Sequence, residues 1–204
     1  MAQFARPNED EVNSGGTDAW AATSGSDLYA MIDETSFSDS DYISTSDSGS
    51  TATYKVHLSS VTDPVSSSGH ILRYRLKWAD SSGMGVDQPD VHVKLMQDQS
   101  SGSAGAGACS QVVWSKSHTS SSNTLGTSFS TEVVTLSTSQ ADAIFGWDAS
   151  NTGYSSLCFQ ITRAASFGAG ETVYLSWAEF EVPDVSSGSA LPMAMNTYKQ
   201  LRNN

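Results

Sequence analysis

Between residues 52 and 95 apolar and polar positions alternate with period two. Ala52, Tyr54, Val56 and Leu58 alternate with Thr53, Lys55 and His57. Leu72, Tyr74, Leu76 and Trp78 alternate with Arg73, Arg75 and Lys77, and Val91, Val93 and Leu95 with His92 and Lys94. A strand points successive side chains to opposite faces, so the pattern predicts three strands, each with one buried and one wet face. The segments between them, Asp63-Pro64 with 66–69 and the Ser-Ser-Gly after Asp80, are turn chemistry. Apolar runs at 28–34, 112–114, 129–136, 157–163 and 172–183 predict further strands. Residues 137–146 are the one helix candidate: a Ser or Thr cap, then Ala-rich positions, with Gly146 to close it. About eight short strands with turns throughout predict an all-β, two-sheet antiparallel jelly-roll sandwich.

The flanks read differently. Residues 1–27 are polar and Gly/Ser-rich and are expected as an extended N-terminal arm pinned at Trp20, leaving 28–183 as the jelly-roll domain. Residues 184–204 are expected as a C-terminal arm outside the sandwich. Tyr198, Lys199 and Arg202 give that arm an apolar, slightly basic character suited to docking on a neighbour. Residues 99–110 and 117–127 read as loops.

Composition narrows the function. Of 204 residues 38% are hydrophobic and only 16% charged. Ser, Thr, Gly and Asn fill the gap, as in a loop-rich β protein. A formal net charge of -12 argues against binding nucleic acid, which requires basic side chains against phosphates, and against docking on an anionic membrane. The N-terminal residues lack the apolar core of a secretory signal. We therefore expect a chain made in a cytosol that leaves it, if at all, by lysis or inside a particle. Cys158 lies in an apolar run and reads as a buried free thiol. Cys109 lies in the Gly/Ala loop, and pairing of the two stays open.

No catalytic constellation stands out. There is no Gly-x-Ser-x-Gly elbow and no phosphate cradle. The histidines at 57, 70, 92 and 118 are scattered, and His57 and His92 fall on polar strand faces. Asp33-Glu34 and Glu179/Glu181 are carboxylate pairs of the type glycosidases use, but Glu179 and Glu181 share one strand face and read as cross-strand ion-pair partners. Asp39-Ser-Asp41 has a calcium-like spacing without the remainder of a calcium loop. Lys55, Arg73, Arg75, Lys77 and Lys94 are half of the ten Lys and Arg. If their strands are neighbours they form one basic sheet face, either paired with Glu132, Glu179 and Glu181 or free to dock an acidic partner. Carbohydrate binding on exposed aromatics is a further reading. Against it, Trp78 and Trp177 are in phase with apolar positions and are expected in the core.

Ala5-Arg6-Pro7, Gly15-Gly16 with Trp20, the stretch from Leu28 to Asp33-Glu34, and Asp39-Ser-Asp41-Tyr42-Ile43 form a pattern. With the segments 129–136, 140–147, 156–159 and 173–183, including Trp177 and Pro183, this resembles a signature of jelly-roll proteins of tailed-phage virions. The resemblance spans roughly residues 5–183. It implies a structural protein with no catalytic residues and no cofactor. The first expectation is a head decoration (cement) protein, a homo-trimer on the major capsid protein that stabilises the shell at the virion head surface. The alternative is a tail or appendage protein whose jelly roll binds a glycan during host attachment.

Overall fold

The computed structural model describes residues 1–16, 19–46, 49–80, 87–98, 109–144, 153–165 and 170–185. They form two antiparallel sheets packed face to face. The strands are β1 (Gln3–Ala5), β2 (Pro7–Ser14), β3 (Ala21–Ala22), β4 (Ile43–Ser46), β5 (Ala52–Leu58), β6 (Ile71–Asp80), β7 (Val91–Asp98), β8 (Cys109–His118), β9 (Ser130–Thr135), β10 (Leu157–Arg163) and β11 (Glu171–Val182). Sheet 1 runs β3-β4-β11-β6-β9, with β1 also on β11; sheet 2 runs β2-β5-β10-β7-β8. From β5 onward the chain crosses between layers at nearly every connection, the hallmark of a jelly roll. The predicted fold class is thus observed.

The period-two segments behave as expected. In β5 the residues from Ala52 to Leu58 alternate buried and half-buried without a break. Tyr54, Val56, Leu72, Tyr74, Leu76, Val91, Val93, Leu95, Phe159, Ile161, Val173, Leu175 and Phe180 are all fully buried between the layers. The helix is α1 (Thr138–Asp142). Ser137 caps it by accepting from the Gln140 N–H, and the Gln140 side chain accepts from the Ser137 N–H, so two orphan donors are satisfied reciprocally. Gly146, expected to close the helix, lies outside the described residues.

Four expectations are corrected. The N-terminal arm is woven into both layers: β1 pairs with β11 and β2 with β5. The acidic run Asn8–Glu11 occupies an edge strand of sheet 2, where charged side chains deter further strand addition. Trp20 does pin this segment, buried in the core, with its backbone held through two hydrogen bonds by the Asn13 side chain. Residues 28–34 do not form a strand. Tyr29–Met31 is a 3-10 turn; Leu28 and Ile32 are four apart and both buried, and the Asp10 carboxylate accepts from the Leu28 and Tyr29 N–H groups at 2.9 Å each.

Cys109 is not in a loop but opens β8, and Cys158 is not a free thiol: the two are joined as a disulfide with Cα atoms 6.1 Å apart. His70 and His118 lie in the interior. Both are fully buried, and each meets a buried tyrosine hydroxyl, His70 with Tyr154 at 2.7 Å and His118 with Tyr74 at 3.0 Å. The Asn123 carbonyl lies 2.8 Å from His118 Nδ1 and can only accept, so Nδ1 carries the proton and Nε2 accepts from Tyr74. Burial holds both histidines below their ordinary pKa.

Candidate functional site

The outer face of sheet 1 carries the richest surface. Its geometry starts at a β-bulge in β11, where Leu175 pairs with Leu76 and the next registered pair is Trp177 with Arg75. Ser176 is the extra residue. A bulge shifts the alternation by one, so Trp177 leaves the phase of Val173 and Leu175 and joins Arg75 on the outer face. This overturns the core placement of Trp177 read from phase. It is only 7% exposed nonetheless, because loop 33–41 folds over it: its indole N–H donates to the Glu34 carbonyl at 2.8 Å, and the Phe37 ring packs edge-on at 6.1 Å.

The loop is fastened at a second point. Arg75 donates to both Asp39 carboxylate oxygens, at 2.6 and 2.8 Å, and that hydrogen-bonded guanidinium holds the Asp39 carboxyl below the usual carboxylate range. The same guanidinium lies over the Phe37 ring at 4.3 Å. Asp39 is therefore engaged by arginine, and among the described residues the carboxylates of 33–41 do not converge as a cation site would need. Glu34 sits in a drier setting that pushes its pKa up, with Oε2 buried and unpartnered.

Around this anchor the aromatic rings form a ribbon. Tyr42, Phe129 and Tyr174 contact one another at 5.3 to 6.4 Å, and Lys77 lies 4.5 Å over both Phe129 and Tyr174. At the other end Phe4, Phe37 and Trp177 line a shallow cavity of about 350 Å³ together with Arg73, Glu179 and Glu181. Phe4 is 41% and Phe37 51% exposed. Arg73 bridges Glu179 at 3.3 Å and Glu181 at 2.5 Å, and Arg6 pairs with Glu179 while stacking on Phe4. The polar floor is thus Arg73 with two glutamates, and Arg6, paired to Glu179, brings the group to no net formal charge.

The condition for a single basic face is not met, because β6 lies in one sheet and β5 and β7 in the other. Arg73, Arg75 and Lys77 share the outer face of sheet 1. Lys55 and Lys94 flank Gln160 on the outer face of sheet 2, on the opposite side of the molecule. β5 and β7 alternate with the same period as β6, but the connections send them to the other layer. Most of these cations are also engaged, Lys55 with Glu11 and Arg73 with the glutamates named as its cross-strand partners, whereas Glu132 goes to Lys116. Among the described residues Lys94 has no ion-pair partner. Glu179 and Glu181, a carboxylate pair of glycosidase type, are both tied to arginine.

Several signature residues, far apart in the chain, gather on or beside the sheet 1 face: Arg6 on Glu179, Glu34 on Trp177, and Tyr42 on Tyr174, whereas Pro7 opens β2 in sheet 2. Pro183 follows β11 and packs at Gly69, whose φ of +84° favours glycine and where a Cβ would come within 3.1 Å of the proline ring. Asp33 and Asp41 lie in the covering loop, and Trp20 is in the core. Tyr198, Lys199 and Arg202 lie outside the described residues, as does Trp147. Phe4 and Phe37 were missed in the sequence. Phe37 carried a usable signal, a large ring in an otherwise acidic, Ser-rich loop.

No protein-family model and no curated protein matches the chain. Solved structures similar to it include three of note. A mutant of a family 29 carbohydrate-binding module is 12% identical, covering 98% of each chain with a TM-score of 0.36. The K3 cleaved adhesin domain of Lys-gingipain from Porphyromonas gingivalis is 9% identical, covering 88% of this chain and 99% of that one at 0.38. A putative sugar-binding protein from Bacteroides thetaiotaomicron is 12% identical, covering 89% and 88% at 0.39. At these identities and TM-scores the likeness carries no argument about function.

Proposed function

We propose that the chain is a non-catalytic glycan-binding jelly roll that takes a sugar between Phe4, Phe37 and Trp177. The observation that carries this reading is the pair of half-exposed phenylalanine rings beside a rigid, hydrogen-bonding floor. Fully burying a large ring is worth about 1.5–3 kcal/mol, and here two rings lining one cavity are left roughly half in water. A pyranose ring matches that arrangement: its C–H face stacks on an aromatic ring while its hydroxyls exchange hydrogen bonds with planar side chains. Because Arg6 and Arg73 are balanced by Glu179 and Glu181, a neutral glycan suits the floor better than a polyanionic one.

A glycan array probed with the full purified chain tests this. Retention on neutral glycans is expected, weakened at least about tenfold, or about 1.4 kcal/mol, by Phe37→Ala. Absence of retention on every glycan, or retention that Phe37→Ala and Phe4→Ala leave intact, would sink the proposal.

A second reading concerns where the module sits. The convergence of Arg6, Glu34, Tyr42 and Trp177 on one face favours a surface shared with the tailed-phage signature. On that reading the chain is a virion component, either a trimeric decoration protein on the major capsid protein or a tail-borne module used in host attachment. Immunogold labelling of intact particles separates these: label on heads supports the first, label on tail tips the second, and unlabelled particles remove both.

A further inference from the structure

The outer face of sheet 2 holds a cluster that glycan binding does not use. His57 on β5 stands in register with Cys158 on β10 and places Nδ1 3.3 Å from its Sγ. Glu11 is the extra residue of a bulge in β2, between Asp10 and Val12. Its Oε2 lies 3.4 Å from the Cys158 sulfur and 3.8 Å from His57 Nε2. One donor atom each from Glu11, His57, Cys109 and Cys158 falls within 4.8 Å of all the others. The two sulfurs and Met96 form a small apolar patch separate from the main core.

A disulfide sulfur has no proton and almost no charge. It gives neither an imidazole nitrogen nor a carboxylate a reason to converge on it. The same four groups make sense as a tetrahedral ligand set of two sulfurs, one nitrogen and one oxygen. Zinc bonds of about 2.0–2.3 Å give tetrahedron edges of roughly 3.3–3.8 Å, and the observed 3.3 and 3.4 Å separations from Cys158 are of that length. The charge also closes: a zinc ion with two thiolates and one carboxylate is left at -1. Lys55 Nζ lies 3.2 Å from Glu11 Oε1 and 3.0 Å from the Cys109 carbonyl, where it neutralises the site and orients the carboxylate.

We propose that the reduced chain binds one zinc ion through Glu11, His57, Cys109 and Cys158, so that disulfide and metal are alternative closures of one site. Passage between them is a two-electron step. A small thiol of the glutathione class supplies two thiols, which leave as their own disulfide, while the Cys109–Cys158 bond breaks and each sulfur gains an electron and a proton. The freed sulfurs part by rotation about their Cα–Cβ bonds, and zinc displaces both thiol protons to solvent.

The test uses the full chain, reduced with a phosphine in metal-free buffer and titrated with cobalt(II) as the spectroscopic probe. One equivalent is expected to give the near-ultraviolet thiolate charge-transfer band and the visible bands of tetrahedral cobalt, which zinc then abolishes. The oxidised chain should give neither. Cys109→Ser should lose about half the charge-transfer intensity, and His57→Ala should weaken binding at least about 100-fold, with Lys55→Met nearer tenfold. Far-ultraviolet circular dichroism confirms that each variant is folded; if a cysteine variant is not, the half-buried His57 and Glu11 still decide the matter. The proposal fails if the reduced chain shows no tetrahedral spectrum, or if that spectrum survives both His57→Ala and Glu11→Gln.

Discussion

The two outer faces are built by the same device and put to opposite ends. In sheet 1 a bulge at Ser176 turns Trp177 outward, and loop 33–41 immediately covers it, tied down by Arg75 and by the Trp177 indole. In sheet 2 a bulge at Glu11 turns a carboxylate toward a histidine and two sulfurs, with Lys55 as its ion-pair partner. One bulge re-aims an apolar side chain that then organises a platform; the other re-aims a charge into a ligand set. Both proposed sites therefore begin at an interruption of strand periodicity.

That contrast can be broken experimentally. The largest effect is expected from Trp177→Ala, which empties the space under loop 33–41 and orphans the Glu34 carbonyl. Urea unfolding should show a loss of about 3–5 kcal/mol, and a loss below 1 kcal/mol would mean that the bulge does not anchor the loop. Next, Cys109→Ser under oxidising conditions removes a cross-link between residues 49 apart in sequence. Chain-entropy reasoning puts the cost at about 2–4 kcal/mol, and it should vanish when both proteins are measured reduced.

The shared interior supplies a control that belongs to neither face. His70 and His118 are neutral in the fold, with pKa values depressed by burial, while in the unfolded chain they protonate near about 6.5. The unfolded state binds more protons below that value, so stability is fully present above about pH 6.5 and falls as the pH drops below it. His118→Gln should flatten that fall, and an unchanged profile would show that the buried histidines do not govern it.

Smaller changes sharpen the two faces. Arg75→Lys keeps the charge but loses the two-pronged grip on Asp39, a partly exposed pair; about 0.5–1 kcal/mol is expected, with a larger proportional loss of glycan affinity as Phe37 loosens. Glu11→Gln should cost least, under about 1 kcal/mol, because its bulge is held by β5 rather than by its carboxylate. Its effect belongs to the cobalt titration, and a stability loss as large as that of Trp177→Ala would erase the distinction between the faces.

The sandwich was legible in the chain because burial enforces period two wherever a strand lies between solvent and core, as Tyr54, Val56 and Leu58 illustrate. The sites were legible only in part. Arg73 with Glu179 and Glu181 was read as a cross-strand group and is one. Trp177 was misplaced because phase cannot count through an inserted Ser176. Lys55 and Lys94 were grouped with Arg73 because alternation tells which face a residue takes but not which layer its strand joins. Residues 28–34 looked like a strand because Asp10, eighteen residues earlier than Leu28, supplies the acceptor that lets the turn form. The disulfide was invisible as geometry, since Cys109 and Cys158 come together only once β10 and β8 flank β7.

The pairing of Gln3 with Val182 and of Ala5 with Phe180 has a consequence for how the molecule is made. Of the described strands, the first in chain order pairs with the last, so this part of sheet 1 cannot close until nearly all of the described chain has been synthesised. Until then β11's seat stays empty and the apolar sides of both layers are open to other chains, a slow, long-range closure that favours aggregation over recovery. Expression at lower temperature, or with a holding chaperone, should therefore raise the soluble yield more than any single surface substitution.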